Sequence, residues 1–142
     1  MTQVDFYVLD ERATGNRFSL ACRLSEKIYL QGRRIYIHTG SDEETRHMDR
    51  LLWTFRQGSF IPHGTSGQCD PAVTPVIIGH LDDAGDEHDV LVNLSPAVPG
   101  FFSRFERVAE LIDKEPQVVS AGRERFRFYR DRGYPLSKHD IK

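Results

Sequence analysis

Four short, nearly continuous apolar runs constrain this chain more than any other feature. They are residues 4–9 (VDFYVL), 34–38 (RIYIH), 75–79 (PVIIG) and 89–94 (DVLVNL). A strand with one wet face alternates apolar and polar residues. A strand with no wet face does not, so these runs read as strands covered on both sides, which is the pattern of a parallel sheet sandwiched by helices. The segments between the first runs supply those helices. Phe18, Leu20, Ala21, Leu24 and Ile28 recur at helical spacing, and Gly32 stops that helix. Ser41 is placed as an N-cap with Glu44 three residues later, the capping-box pattern, before Met48, Leu51, Leu52 and Phe55. Strand, helix, strand, helix in succession calls for crossover connections and hence parallel strands.

The rest of the chain is less regular. Residues 57–74 are rich in Gly, Ser and Pro and read as a long loop; the acidic stretch with Asp82, Asp83, Asp86 and Glu87 reads as a solvated turn. Residues 101–112 admit either helix or strand; we read a short helical turn followed by a strand over 107–112. Pro116 then opens a last helix running to about Arg132, with Gly133 as its stop. With 142 residues, no repeat and no linker, the expectation is a single α/β domain over residues 1–142. Its expected form is a three-layer α/β/α arrangement around a mostly parallel sheet, with nucleotide-binding-like topology but no phosphate loop.

Composition narrows the function classes. Hydrophobic residues at 39% and charged residues at 28% suit a chain that buries one core. A net charge of −2 excludes a molecule whose whole surface seeks polyanions, so any basic function is local. Cys22 sits among apolar helix residues and reads as a buried thiol; with only Cys69 beside it there is no disulfide framework, and a reducing cytoplasm is the expected compartment. The N-terminal MTQVDFYVLD has no signal-peptide pattern, and no stretch reaches the roughly 18 apolar residues of a membrane span.

Catalytic signatures are sparse. Neither G-x-x-x-x-G-K-[ST] nor a G-x-G-x-x-G after the first strand is present; the first turn offers Gly15 alone. Asp10, at a strand end, is better suited to a turn or helix cap than to a metal. The loop His63-Gly64-Thr65-Ser66-Gly67-Gln68-Cys69-Asp70 gathers His, Ser, Cys and Asp, but its second Gly comes one residue too early for a nucleophile elbow and no strand leads into it. We read it as a flexible surface loop. The other histidines, His38, His47, His80, His88 and His139, show no ligand spacing. The expectation is no catalytic residue, no metal and no cofactor.

Two constellations remain. Residues 123–136 (RERFRFYRDRGYPL) hold five arginines with interleaved aromatics. On a helix, Arg123, Phe126, Arg127 and Arg130 share one face, and Tyr134, just past the stop, can fold over its end. A guanidinium fork takes a carboxylate or phosphate by two charge-assisted bonds while an aromatic neighbour supplies an apolar wall. That combination suits an acidic peptide ending in a hydrophobic residue and a free carboxylate, or single-stranded nucleic acid. The second constellation is residues 51–64 (LLWTFRQGSFIPHG), with the only tryptophan, Trp53, and Phe55, Phe60 and Ile61 crowding a helix end and loop. It is equally consistent with a core extending under the loop and with an interface.

Three blocks together resemble the chi subunit family of bacterial DNA polymerase III: Phe6-Tyr7-Val8-Leu9-Asp10; Leu52-Trp53 followed by Ser59-Phe60-Ile61-Pro62-His63; and Arg123 to Arg130 ending in Gly133-Tyr134. Their order and spacing span nearly the whole chain. The resemblance implies a non-catalytic adaptor with a nucleotide-binding-like fold. It implies a heterodimer with the psi subunit, through Trp53, Phe60, Ile61 and Pro62, and through psi a link to the clamp loader. It further implies capture of the acidic C-terminal tail of single-stranded DNA-binding protein by Arg123, Phe126, Arg127, Arg130 and Tyr134. DNA is then met only indirectly and no membrane is involved. Some members carry a basic residue one turn before the first arginine, where this chain has Val119. The rival readings are a direct single-stranded nucleic-acid-binding module on the same helix, and a nucleotide-dependent enzyme using the carboxyl ends of the strands near Asp10 and Thr39.

Overall fold

The computed structural model describes residues 1–142. In chain order the elements are β1 (Gln3–Leu9), α1 (Arg17–Leu30), β2 (Ile35–His38), α2 (Asp42–Thr54), β3 (His63–Thr65), β4 (Val76–Gly79), β5 (Val90–Asn93), a 3-10 turn (Phe102–Arg104), β6 (Arg107–Ile112), α3 (Pro116–Asp131) and β7 (Leu136–Ile141). All seven strands join one sheet in the order β3-β4-β2-β5-β6-β1-β7, and every pairing is parallel. The four apolar runs are the core of this sheet. β2, β4 and β5 are buried at every position.

The sheet divides the core in two. On one face Ile35, Ile37, Ile78, Val92 and Leu111 pack under α1 and α2 with Ala21, Cys22, Met48 and Leu52. On the other, Phe6, Tyr36, Leu91 and Val108 pack under α3 and the 3-10 turn with Phe101, Phe102, Phe105 and Tyr129. Each fully buried Ile or Leu contributes about 1.5–3 kcal/mol against exposure. Cys22 is fully buried, and burial pushes its thiol up to about 12.

Helix ends follow local chemistry. At α1 the Asn16 side chain accepts from the Phe18 and Ser19 amides at 3.0 Å each, and Ser19 Oγ accepts from the Asn16 amide at 3.0 Å. This is a complete capping box that the S/T-x-x-E pattern does not find. At α2 the Ser41 hydroxyl caps the Glu44 amide at 3.1 Å, but the Glu44 carboxylate takes the Gly40 amide at 2.8 Å rather than that of Ser41. α1 and α3 stop at Gly32 and Gly133, both at positive φ (79° and 78°). In each, the glycine amide and the next amide turn back to carbonyls of the last turn, satisfying groups the helix leaves open.

Two strands depart from the sequence reading. Residues 63–65, expected as a flexible loop, form edge strand β3 against β4. Three residues carry no periodicity to read; the anchor is His63, whose ring contacts the carbonyls of Ile61 (2.7 Å) and Asp49 (3.1 Å). Gly64 sits so close to Cys69 that a Cβ would lie 2.6 Å from the Cys69 Cβ. The segment from Leu136 to Ile141, to which the sequence reading assigned no element, is β7, paired with β1 along its length. Its sequence, LSKHDI, carries charge as an exposed edge strand does, and so lacks the apolar run that marks the inner strands.

Candidate functional site

α3 is an arginine-rich helix pressed onto the sheet by one glycine. A Cβ on Gly122 would overlap Cδ1 of Ile112 on β6, so at this glycine the helix comes close enough to the strand that any side chain would displace the Ile112 methyl. Residues two apart on a helix face opposite ways, and the arginines divide accordingly. Arg125 turns inward and is 4% exposed. Its Nε donates to Glu110 Oε1 at 2.8 Å, and another guanidinium nitrogen donates to the Pro96 carbonyl at 3.0 Å. Tyr129 O–H donates to Glu110 Oε2 at 2.7 Å, and Asn93 Nδ2 lies 3.1 and 3.0 Å from the two carboxylate oxygens. Burial, then the Glu110 charge, pushes the Tyr129 hydroxyl far up, so it stays a donor. This sealed network ties α3 to β5 and β6.

Arg123 turns outward. Beside it opens an apolar groove of about 390 Å³ between α3 and the β1–β7 edge. Phe6, Val8 and Ile112 floor it, Val119, Gly122 and Phe126 form the helix wall, and Arg123 and Lys138 stand at its rim. Phe126 meets Phe6 edge-on, 5.3 Å between centroids. Arg127 and Arg130 are exposed but each lies on a neighbouring carboxylate, Arg127 on Glu124 and Arg130 on Asp131 at 3.1 Å.

The structure thus brings Arg123 and Phe126 to one groove, with Arg127 and Arg130 further along the same helix. Tyr134 it places elsewhere. Its ring packs on Phe102 (5.1 Å) and Tyr129 (6.3 Å) and does not line the groove. The reason is the helix stop: Tyr134 follows Gly133, its amide bonds the Tyr129 carbonyl, and its side chain falls back on that turn. The rim residue that sequence reasoning missed is Lys138. Finding it needed β7 to be recognised as a strand, because its pairing with Phe6 in the parallel register puts it over the groove.

At the opposite edge of the sheet, Trp53 and Phe60 are 56% and 66% exposed, with ring centroids 5.9 Å apart. Trp53 also lies 4.6 Å from the His63 ring. Pro62 is half-buried beside them. Ile61 is 1% exposed and belongs to the core under α2, so it supports this patch from below and does not present its side chain. Of the two readings open for this segment, Ile61 takes the core one, while Trp53 and Phe60 stand exposed at the surface. Six strand spacings of about 4.8 Å separate the edge strands β3 and β7; the Trp53 patch lies beside α2 on one face of the sheet and the groove beside α3 on the other.

The carboxyl ends of the strands, where a nucleotide would sit in such a sheet, are occupied by the chain's own side chains. The Asp113 carboxylate accepts from the Arg17 amide at the start of α1 (3.1 Å) and from the Arg17 guanidinium (3.2 Å), which also reaches Glu44 at 3.4 Å. A carboxylate thus takes the helix N-terminus that a phosphate would use. Asp10 caps its own turn through the amides of Arg12 (2.8 Å) and Ala13 (3.1 Å). Thr39 is fully buried, its hydroxyl 2.6 Å from that of Thr45. No three His, Cys, Asp or Glu side chains gather into a metal-holding group, and no helix is long and apolar enough to cross a membrane.

Comparison with known proteins agrees with this architecture. Among solved structures the chain resembles one described as the crystal structure of T4 UvsW, with a TM-score of 0.66 at 10% identity. The match covers 99% of this chain and 41% of the other, and shows a shared fold alone. Similarity in sequence runs end to end with curated proteins named DNA polymerase III subunit chi. Identity is 42% to that of Pseudomonas aeruginosa, covering 99% of this chain and 98% of the relative. It is 28% to that of Haemophilus influenzae (96% and 95% covered) and 26% to that of Escherichia coli (96% and 97% covered). The family model described as DNA polymerase III chi subunit, HolC, matches residues 1–137, from the first strand through the arginine helix. The chain belongs to the DNA polymerase III chi subunit family.

Proposed function

We propose that this protein is a non-catalytic replication adaptor with two separate docking surfaces. As a chi subunit it is an accessory component of the DNA polymerase III holoenzyme. The groove beside Arg123 captures the acidic, hydrophobic C-terminal tail of single-stranded DNA-binding protein, and the Trp53–Phe60 edge pairs with the psi subunit and, through it, with the clamp loader. The observation that carries the reading is the groove itself. An apolar floor of Phe6, Val8 and Ile112 lies directly beside a guanidinium with no carboxylate partner, and such a site matches a ligand whose apolar side chain and negative charge are close neighbours. The two surfaces lie on opposite faces and toward opposite edges of the sheet, which lets both partners bind at once. Acting through the tail, the adaptor needs no basic surface of its own, in keeping with a net charge of −2.

The test is fluorescence anisotropy of a labelled acidic peptide ending in a free Phe, titrated with the folded protein. Saturable binding that Arg123→Ala weakens, with psi co-purification intact, is the expected result. No binding by a protein shown to be folded, or equal loss of both partners in Arg123→Ala, would overturn the two-surface reading. An oligonucleotide titration at low salt distinguishes direct nucleic-acid binding, which would show a steep salt dependence.

A further inference from the structure

Arg123 has a counterpart on the facing wall. In the parallel register of β1 and β7, Phe6 pairs with Lys138 and Val8 with Asp140. Partners in a parallel ladder point to the same face, and Phe6 and Val8 floor the groove, so the Lys138 and Asp140 side chains project on the α3 side. Tyr7, one residue along, stacks on His139 at 4.8 Å on the other face, as alternation requires. Lys138 is largely exposed, and its one ion pair is a loose contact to Asp140 at 3.6 Å. The helix-side position one turn before Arg123 is Val119, which lines the groove without charge. The only cations lining the groove are thus Arg123 from the helix and Lys138 from the edge strand. The family match ends at residue 137, so this second cation lies in a part of the chain that the match does not reach.

We propose that Lys138 of β7 and Arg123 of α3 form a two-sided clamp for the terminal carboxylate of a peptide whose last, apolar side chain fills the groove between them, and that Asp140 competes for Lys138 when the groove is empty. This rests on the tail-capture reading and names the residue that completes its site. A carboxylate held from two sides gains a second charge-assisted contact without moving the ring out of the apolar floor. Arg127 and Arg130, already on Glu124 and Asp131, are left to meet acidic residues further back in the peptide.

The experiment uses the full chain and two forms of one labelled acidic peptide ending in Phe, one with a free carboxylate and one amidated. Lys138→Ala is expected to weaken the free form about tenfold and to leave the weaker binding of the amidated form unchanged. Lys138→Arg is expected to retain affinity, and Asp140→Asn to tighten the free form by about two- to threefold. Lys138 is a solvent-exposed edge-strand side chain, so a melting curve matching the parent protein is expected and checks the fold. Unchanged affinity in Lys138→Ala, alongside a clear loss in Arg123→Ala, would overturn the clamp and leave tail capture standing. Equal loss for both peptide forms would also overturn it, since Lys138 would then be a wall or a general charge. Absence of binding by the parent protein would remove tail capture itself.

Discussion

Arg123 and Arg125 stand two residues apart on α3, and the fold uses them in opposite ways. Arg125 is 4% exposed and closed around Glu110, with Tyr129 and Asn93 completing the carboxylate's contacts. Arg123 looks into an open groove and has no carboxylate of its own. The sealed side ties the helix to the sheet, through the network and the close approach at Gly122, and the open side forms one wall of the groove. An arginine-rich segment is thus two things at once, a structural bolt and an open groove rim, and two residues of helix phase, about 200°, separate them. The buried network also explains why the helix can carry so much positive charge near the sheet: the most deeply placed guanidinium is neutralised from within. A buried pair of this kind is weak evidence for net stability, but removing one member leaves the other uncompensated.

The largest effect should come from breaking the sealed side. Glu110→Ala leaves Arg125 buried without its partner, and the expected loss is about 3–5 kcal/mol of folding stability, measured by urea denaturation. If the variant instead melted like the parent, α3 would be held by something other than this network. Next, Trp53→Ala should cost roughly 2–4 kcal/mol of psi affinity, the range for a buried interface anchor, while the tail peptide binds as before; calorimetry with each partner reads the two separately. Third, Arg123→Ala should weaken tail-peptide binding by about 1.5–3 kcal/mol, the scale of a hydrogen bond to a charged group, and shift unfolding stability by no more than about 0.5 kcal/mol. A comparable stability loss in Arg123→Ala and Glu110→Ala would erase the distinction between the two sides of the helix.

The smallest expected effect concerns His38, at the carboxyl end of β2. It is 6% exposed, its Nδ1 has no partner, and its ring packs edge-on against Phe101 at 5.3 Å. Burial lowers its pKa below the usual 6.5, with His80 adding to the fall and Asp82 opposing it. The folded protein therefore keeps His38 neutral in a range where the unfolded chain takes up a proton. Its contribution to stability is full above pH 6.5 and declines as pH falls from there toward the lower folded value. Denaturation of the parent and of His38→Gln across that range should show a shallower acid slope in the variant; parallel curves would mean His38 titrates as freely folded as unfolded.

Much of the fold was legible because its signals are local. The four apolar runs, the stop at Gly32, the turn and strand over 102–112, and Pro116 opening a helix that ends before Gly133 each reflect a propensity that a few residues express by themselves. β3 and β7 were not, because edge strands are short or charged and are held by partners far away in sequence; β7 exists through its pairing with β1, about 130 residues earlier. The site divided along the same line. Helical phase places Arg123, Phe126, Arg127 and Arg130 on one face, but Tyr134 follows the geometry of the helix stop and Lys138 follows a strand register.

By itself, then, the sequence determined the layer class, the crossover helices, the phase of the arginine helix and the family to which the chain belongs, all of which depend on neighbours within a turn or two or on blocks in order. Only the tertiary structure decided which of the five arginines is neutralised by Glu110, that Ile61 faces the core while Trp53 and Phe60 face solvent, and that a lysine from the last strand overhangs the groove beside Arg123. The physical reason is that charge pairing, burial and a groove's two walls are properties of distances in space, and chain distance constrains those only weakly once a sheet brings its first and last strands together.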